Sequence, residues 1–440
     1  MNNEFSLFSL GEVADVIAGG DKPKAFSPNK NDCNNIPVFA NAEKKDGLQG
    51  YTDTPRIIEP AVTMAARGSN VGFVAVRKEP YFPIVRLLSL IPKKERLDVD
   101  YLFYNLKQNR QSGTGSGQPQ ITIPQISGRS ISLPPLLTQQ KIGKVLSSLD
   151  AKIELNNKMN AELEAMGKLI YDYWFVQFDF PDVNGKPYKS SGGKMIYNEE
   201  LKREIPDSWA VNLLADWFDT DKTGDLLSNH KVKVTYADWF DTDKTGDWGK
   251  ETEQGNYTVQ VDCIRGADIN GLNGKGKVKA PNRFILQKNQ HKLLLPYDLI
   301  IEISGGSPTQ STGRMAFLTP EIFDRFSHPM ICSNFCKAIS LKNKGYFYNF
   351  VYQWNAIYDN GILFGWEGKT SGIKNLLFDS FINNHNVCVP PESLAKQFSK
   401  VIEPIQQKKQ KSLKENSELE KLRDWLLPML MNGQVTVKYV

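Results

Sequence analysis

The sequence predicts an α+β protein: two globular regions of mixed β-sheet and helix, separated by two long helices that pair as an antiparallel coiled coil about a pseudo-twofold. Three observations lead there. In the stretch Leu133 to Phe180, residues Ile142, Leu146, Leu149, Ile153, Asn156, Asn160, Leu163, Gly167, Ile170 and Trp174 recur at alternating steps of four and three, the spacing of a coiled-coil seam. A shift of 256 residues carries Pro134 and Pro135 onto Pro390 and Pro391, and the seam onto Phe398, Ile402, Ile405, Lys409, Ser412, Asn416, Leu419, Arg423, Leu426 and Leu430. Outside these stretches the chain breaks into short β-like runs bounded by Gly, Pro and Asn.

The first globular region spans residues 1–132. Ala61 to Ala65, Val71 to Val76 and Ile84 to Ile91 read as strands, and Val99 to Asn109 as a helix. Three polar loops follow from glycine content: Gly19 to Lys24, Arg67 to Asn70, and Ser112 to Gln120. Glycine lets a backbone approach a phosphate closely, and Arg67, Ser69, Thr114 and Gln118 carry the donors and acceptors that position or read a base. Counterparts recur in the second half: Gly306-Ser307 for Gly68-Ser69, and Thr370-Ser371 for Thr114-Gly115. Leu10 to Asp15 is answered by Leu214 to Asp219, an offset of 204.

The first long helix occupies residues 133–180. Pro134 and Pro135 stop it from starting earlier, and Thr138 is the expected N-cap. About 40 residues at 1.5 Å each give a rod of roughly 60 Å. Both rods have apolar ends and a polar middle containing Asn160 or Asn416, and pairing the middles would fix register. Because each rod follows its own globular region, antiparallel pairing is the expectation.

Residues 181–204 have the Gly, Ser and Lys content of a linker, and residues 205–388 form the second globular region, followed by the second rod at 389–440. Ala215 to Asp225 repeats identically at Ala237 to Asp247. Each copy contains Asp-Thr-Asp-Lys-Thr-Gly, the opening of a calcium loop, yet the twelfth positions are His230 and Thr252 where a bidentate Glu is needed. Both copies therefore read as acidic turns. Lys275, Arg283, Arg314 and Lys369 are the candidate nucleic-acid contacts of this region.

Net charge is +5, so any nucleic-acid contact must come from local patches. No run of 18 apolar residues occurs, and five cysteines without regular spacing argue for reduced thiols; a cytoplasmic protein is expected. Cys332, Cys336 and His328 lack the second ligand pair that zinc requires. Asp182, Glu200 and Lys202 imitate a metal-dependent nuclease, and Gly365 to Thr370 imitates a P-loop whose first glycine would fall on Leu363. No nucleophile, base and orienting group assemble, and no catalytic residue or metal site is expected.

The segments LPPLLTQQKIGKVLSSLDAKIELNNKMNAELEAM, YDYWFVQFDF and LRDWLLPMLMNGQV resemble the central and C-terminal conserved regions of the specificity (S) subunits of type I restriction-modification systems. The resemblance is specific in the two rods and is one of layout elsewhere. It implies a non-catalytic chain that binds double-stranded DNA, each globular region being a target recognition domain for half of a bipartite site and the paired rods setting the gap. It also implies two methylation (M) subunits, which bind S-adenosylmethionine, and restriction (R) subunits, which use ATP and magnesium. Tyr171, Tyr173, Trp425 and Met429 on the rods are candidates for contacting the partner helices, the other reading of such aromatics being core. The alternatives are a recognition subunit of a related system with fused nuclease and methylase, and a coiled-coil scaffold that binds no DNA.

Overall fold

Two prolines precede each rod, and each helix begins on the residue after them: Leu136 to Tyr171 for the first and Glu392 to Met431 for the second. The first runs on into a π-helical turn, Asp172 to Val176. Thr138 is not its cap. The amide of Thr138 donates to the Pro135 carbonyl at 2.8 Å, so the first turn closes two residues earlier than expected. The start is fastened instead by buried Gln139, whose Nε2 donates to the carbonyls of Pro134 (2.9 Å) and Arg96 (3.0 Å) while its Oε1 accepts from the Asp98 amide (3.0 Å).

The computed structural model describes residues 5–113, 119–213, 240–370 and 372–438, and the chain divides into two units: Met1–Glu154 with Asn416–Val440, and Leu155–Glu415. In the first unit Ile142 and Leu146 share a core with Leu427, Leu430 and Met431, and Arg423 Nη1 donates to Asp150 Oδ1 at 2.6 Å. In the second, Asn156 Nδ2 donates to Glu415 Oε2 at 2.8 Å, Glu164 pairs with Lys409, and the Tyr171 and Phe398 rings meet at 6.0 Å. One number rises as the other falls, so within each unit the helices are antiparallel neighbours. All the seam residues are buried or half-buried. The seam also buries the polar Asn156, Asn160, Ser412 and Asn416 and the charged Lys409, around which Glu164 and Lys275 (3.3 Å apart) place charge.

Each unit is built on one strand plan. In the first, β1 (Ser6–Ser9) pairs with β9 (Ser130–Leu133). A four-stranded sheet follows the order β2 (Ala14–Ala18), β8 (Leu88–Pro92), β5 (Ala61–Met64), β6 (Val74–Arg77), and a smaller sheet the order β4 (Leu48–Thr52), β3 (Ile36–Phe39), β7 (Phe82–Pro83). In the second unit a hairpin of β10 (Met195–Asn198) and β11 (Arg203–Pro206) comes first, then β12 (Ala210–Leu213), which pairs with β23 (Asn386–Val389). The four-stranded sheet is β13 (Phe240–Thr245), β20 (Cys336–Leu341), β16 (Asp298–Glu302), β18 (Met315–Phe317); the smaller one is β15 (Asn282–Leu286), β14 (Tyr257–Ile264), β19 (Met330–Cys332). A third sheet joins β17 (Ser304–Gly305), β22 (Ile373–Leu376) and β21 (Glu367–Thr370). The parallel pair β3 and β7 has its counterpart in β14 and β19. From β1 to β12 the offset is 204 and from β9 to β23 it is 256, so both sequence offsets reappear as one strand pair.

Several expected boundaries move. The run Ile84 to Ile91 becomes strand only from Leu88, because Val85 and Arg86 turn the chain at φ +52° and +56°. Residues 181–204 are folded, not a free linker: they carry β10, and the Tyr188 ring stacks on Phe180 at 4.7 Å. Within the second copy of the repeated segment, Phe240–Thr245 is a strand, not an acidic turn. Lys244 is buried there, bonded to Asp298 at 2.9 Å and to the Leu293 carbonyl at 2.8 Å, an acceptor set about fifty residues away that no local pattern reveals. The first copy, with Leu214 to Asp219, lies outside the described residues.

Candidate nucleic-acid interface

In the first unit, chain segments from four connections converge on one basic concavity of about 620 Å³, lined by Gly19 to Lys22, Asn41, Arg67, Gly68, Val85 and Arg86. Gly19 follows β2, and its close approach demands glycine: a Cβ there would lie 2.8 Å from the Pro83 carbonyl carbon. Gly246 follows the equivalent strand β13 under the same restraint, 2.0 Å from the Ser333 oxygen. The approach lets the amides of Val85 and Arg86 donate to the carbonyls of Gly20 (2.8 Å) and Gly19 (3.1 Å). Those bonds hold two consecutive side-chain-bearing residues in the left-handed region, which a β-branched residue such as Val85 rarely adopts. Asn41 locks the arrangement, its Nδ2 donating to the Val85 carbonyl and its Oδ1 accepting from the Ala66 amide at 3.0 Å.

The strained turn places the Arg86 side chain beside Arg67 on a surface where both are exposed. Exposed Lys22 adds a third cation, and Asp21 is the carboxylate that lines the concavity. A smaller recess of about 340 Å³ continues past Arg67 and Arg86 to Gln120 and Thr122, where Arg67 and Gln120 form an isolated antiparallel bridge. Ser69 is exposed next to Gly68. Thr114 and Gln118 lie outside the described residues. Nothing in the local sequence marks Arg86; its signal is the backbone outlier, visible only once β2, β5 and β8 are assembled.

The second unit distributes its predicted cations differently. Arg314 is corrected to an internal role, because Nε and Nη2 reach Glu302 at 2.8 and 2.7 Å in a half-buried fork. Arg283 is also largely buried, paired with Glu251 at 2.9 Å and stacked over Trp248 at 4.2 Å. Lys275 is exposed, but its ammonium faces Glu164 of the first rod. Lys369 is on β21, and its side chain lies outside the described residues. The loop after β16 instead presents Gly306, Thr309 and Gln310, all exposed. It is the counterpart of the Arg67 loop, with hydroxyl and amide groups where the first unit has arginine.

Of the proposed partner contacts, Tyr171 is corrected to core: it is buried against Phe175 (5.2 Å) and Tyr352 (5.6 Å). Tyr173 and Trp425 are exposed, and Met429 is half-buried. Tyr173 falls in line with exposed Met166, Leu169 and Val176 at steps of three and four, and Trp425 lies one step of three from exposed Leu422. Sequence alone does not mark Met166, Leu169, Val176 and Leu422 as exposed, because their spacing matches that of a buried seam.

The decoys have ordinary structural explanations. Asp182 accepts from the amides of Asn184 and Lys186 at 2.8 Å in a turn. His328 faces Asp262 and Asn282, while Cys332 and Cys336 are buried, and burial pushes the Cys336 thiol up to about 12. No group of three His, Cys, Asp or Glu residues that could hold a metal ion, and no helix long and apolar enough to cross a membrane, occurs among the described residues.

A family model described as the type I restriction modification DNA specificity domain matches residues 2–165. The chain is 34% identical over 125 residues to the C-terminal part of a putative type I specificity subunit of Mycoplasma pneumoniae, covering 28% of this chain and 84% of that protein. It is 25% identical over 389 residues to the MjaIX type I restriction enzyme specificity subunit of Methanocaldococcus jannaschii, covering 87% of this chain and 79% of that one. In two other M. pneumoniae relatives the matched segments span 40% and 51% of those proteins. The fold is similar to that in the crystal structure of a type I restriction-modification S subunit from M. genitalium, with a TM-score of 0.63, 15% identity and coverage of 100% of this chain and 98% of that one.

Proposed function

Since the chain belongs to the specificity subunits of type I restriction-modification systems, we propose that it is the DNA-recognition subunit of such a complex, without catalysis of its own. Each of residues 1–132 and 205–388 is a target recognition domain for one half of a bipartite site. The paired rods set the gap between the halves. Methylation and restriction are carried by M and R subunits, which hold S-adenosylmethionine, ATP and magnesium, and the complex works in the cytoplasm. Two M subunits bind through the exposed apolar lines that include Tyr173 and Trp425.

The observation that carries this reading is the recurrence of one strand plan in both units with a changed loop after β5 and β16. A common scaffold with exchanged polar groups suits two modules that read different bases: arginine pairs well with guanine, while amides and hydroxyls suit other edges. In the first unit Arg67, Arg86 and Lys22 supply a positive surface that would release counterions on binding. The test replaces residues 1–132 by the corresponding region of another specificity subunit, keeps both rods, and maps methylated sites across the genome. One half-site should change while the other half and the gap stay the same; a change in both halves, or in neither, overturns the assignment.

A further inference from the structure

Affinity for a polyanion explains the cations of the first unit's concavity but not its carboxylate. Asp21, exposed in the same concavity as Arg67, Arg86 and Lys22, puts a full negative charge where phosphates would approach. It has no structural task in its own loop: among the described residues its carboxylate accepts no hydrogen bond and pairs with no cation. The turn after β13 shows what such a task looks like. There Asp247, which follows Gly246, accepts from the Gly249 amide at 3.0 Å on one oxygen and from Asn289 Nδ2 at 2.6 Å on the other. Neither Arg67 nor Arg86 has a carboxylate partner among the described residues either.

The backbone around Asp21 is nevertheless held in place. Gly20, just before it, forms a parallel bridge with Ile84, and the Val85 amide donates to the Gly20 carbonyl at 2.8 Å. Asp21 and Arg86 are thus carried by two backbone segments bonded to each other, which gives a carboxylate acceptor and a guanidinium fork one common frame. In the major groove such a fork matches guanine O6 and N7, and a carboxylate accepts from the cytosine amino group. The two sets of atoms lie on one edge of one G·C pair. An A·T pair also offers an amino donor, yet it lacks the guanine edge that the arginine needs. The charge of Asp21 acts against wrong sequences as well: beside phosphates it repels, and only a base donor offsets the repulsion.

Resting on the assignment of residues 1–132 to one half-site, we propose that Asp21 and Arg86 together read a G·C pair of it, Asp21 on the cytosine and Arg86 on the guanine. The test uses the complex purified through a tag on the full chain, and fluorescence anisotropy with two duplexes, one carrying the methylated site mapped in its host and one unrelated. Exchanging the G·C pair for A·T should weaken the wild type about tenfold, and the exchange should cease to matter in Asp21→Asn. On the intact site Asp21→Asn should bind about tenfold more weakly, whereas it should bind the unrelated duplex about threefold more tightly, a negative charge having gone. A residue that merely shapes the loop would move both duplexes in the same direction. Asp21→Ala should behave alike, and because Asp21 is exposed the melting temperature of both variants should match the wild type. Arg86→Ala should lose discrimination at the same base pair. The proposal is overturned if the half-site contains no G·C pair whose exchange the Asp21 variants ignore, or if those variants strengthen or weaken both duplexes alike. Failure of the underlying assignment looks different, and the proposal falls with it: the exchange of residues 1–132 then leaves both half-sites unaltered, or the wild-type complex holds the mapped site and the unrelated duplex equally.

Discussion

Val85 is held at a positive φ by bonds from its neighbours, and that strain, of order 1–3 kcal/mol, is spent on placing Arg86. Val85→Gly should therefore stabilise the free protein by about 1 kcal/mol in denaturant titrations and weaken binding to the cognate DNA. A destabilised variant would show that the turn is relaxed. Arg86→Ala should lose about 1–3 kcal/mol on the preferred site and relax one base position, as footprinting on a randomised site would report. A different pair tests buried charge. Burial alone would raise the Glu164 carboxyl, but the charges of Lys409 and Lys275 outweigh it and hold the group below its ordinary 4.5. Burial also depresses Lys409. The contribution of Glu164 is thus fully present above about pH 4.5 and is lost as pH falls through its lower folded value. Glu164→Gln should cost about 3–5 kcal/mol at neutral pH, by stranding Lys409, and flatten the acid limb of the stability curve; Lys409→Met should be neutral or stabilising. Urea titrations from pH 7 down to 3 separate these outcomes.

At the scale of the element, the rods were the most legible part of the sequence, because a 3.5-residue repeat states which side chains face a partner. Leu146→Ala and Phe398→Ala, both at fully buried positions, should each cost about 2–5 kcal/mol, whereas exposed Lys144→Ala should stay within about 0.5 kcal/mol. Equal tolerance at the three positions, measured by thermal unfolding, would mean that the helices do not pair through this seam. The strands were legible in number more than in extent. Ile84 to Ile91 looked continuous because Val and Arg carry no turn signal, and Val85 turns only because Gly19, Gly20 and Asn41 arrive from distant sequence to hold it. The repeated segment misled for the same reason: its acidic look suits a turn, but Asp298 neutralises Lys244 inside a sheet. Candidate site residues fared unevenly. Arg67 and Ser69 were readable as part of a glycine loop, whereas the fate of Arg314 depended on Glu302, an ion-pair partner that its own loop does not disclose.

For the whole molecule, inserting four residues in each rod should change the gap of the methylated site and leave both half-sites intact, because about one helical turn adds 5.4 Å along DNA. Unchanged spacing would remove the rods from that role. The division of the chain has a further bearing on its synthesis. The first unit takes residues 1–154 from the start of the chain and 416–440 from its end, with Leu427, Leu430 and Met431 in the core beside Ile142 and Leu146. A ribosome adding about 5–20 residues per second reaches Met431 roughly 15–55 seconds after Glu154, so the first unit waits, open along one apolar face, until residues 416–431 have been made. The second unit is contiguous and needs no such delay. A nascent chain released early would carry one finished module and one that lacks its closing helix, the form on which chaperones and proteases act.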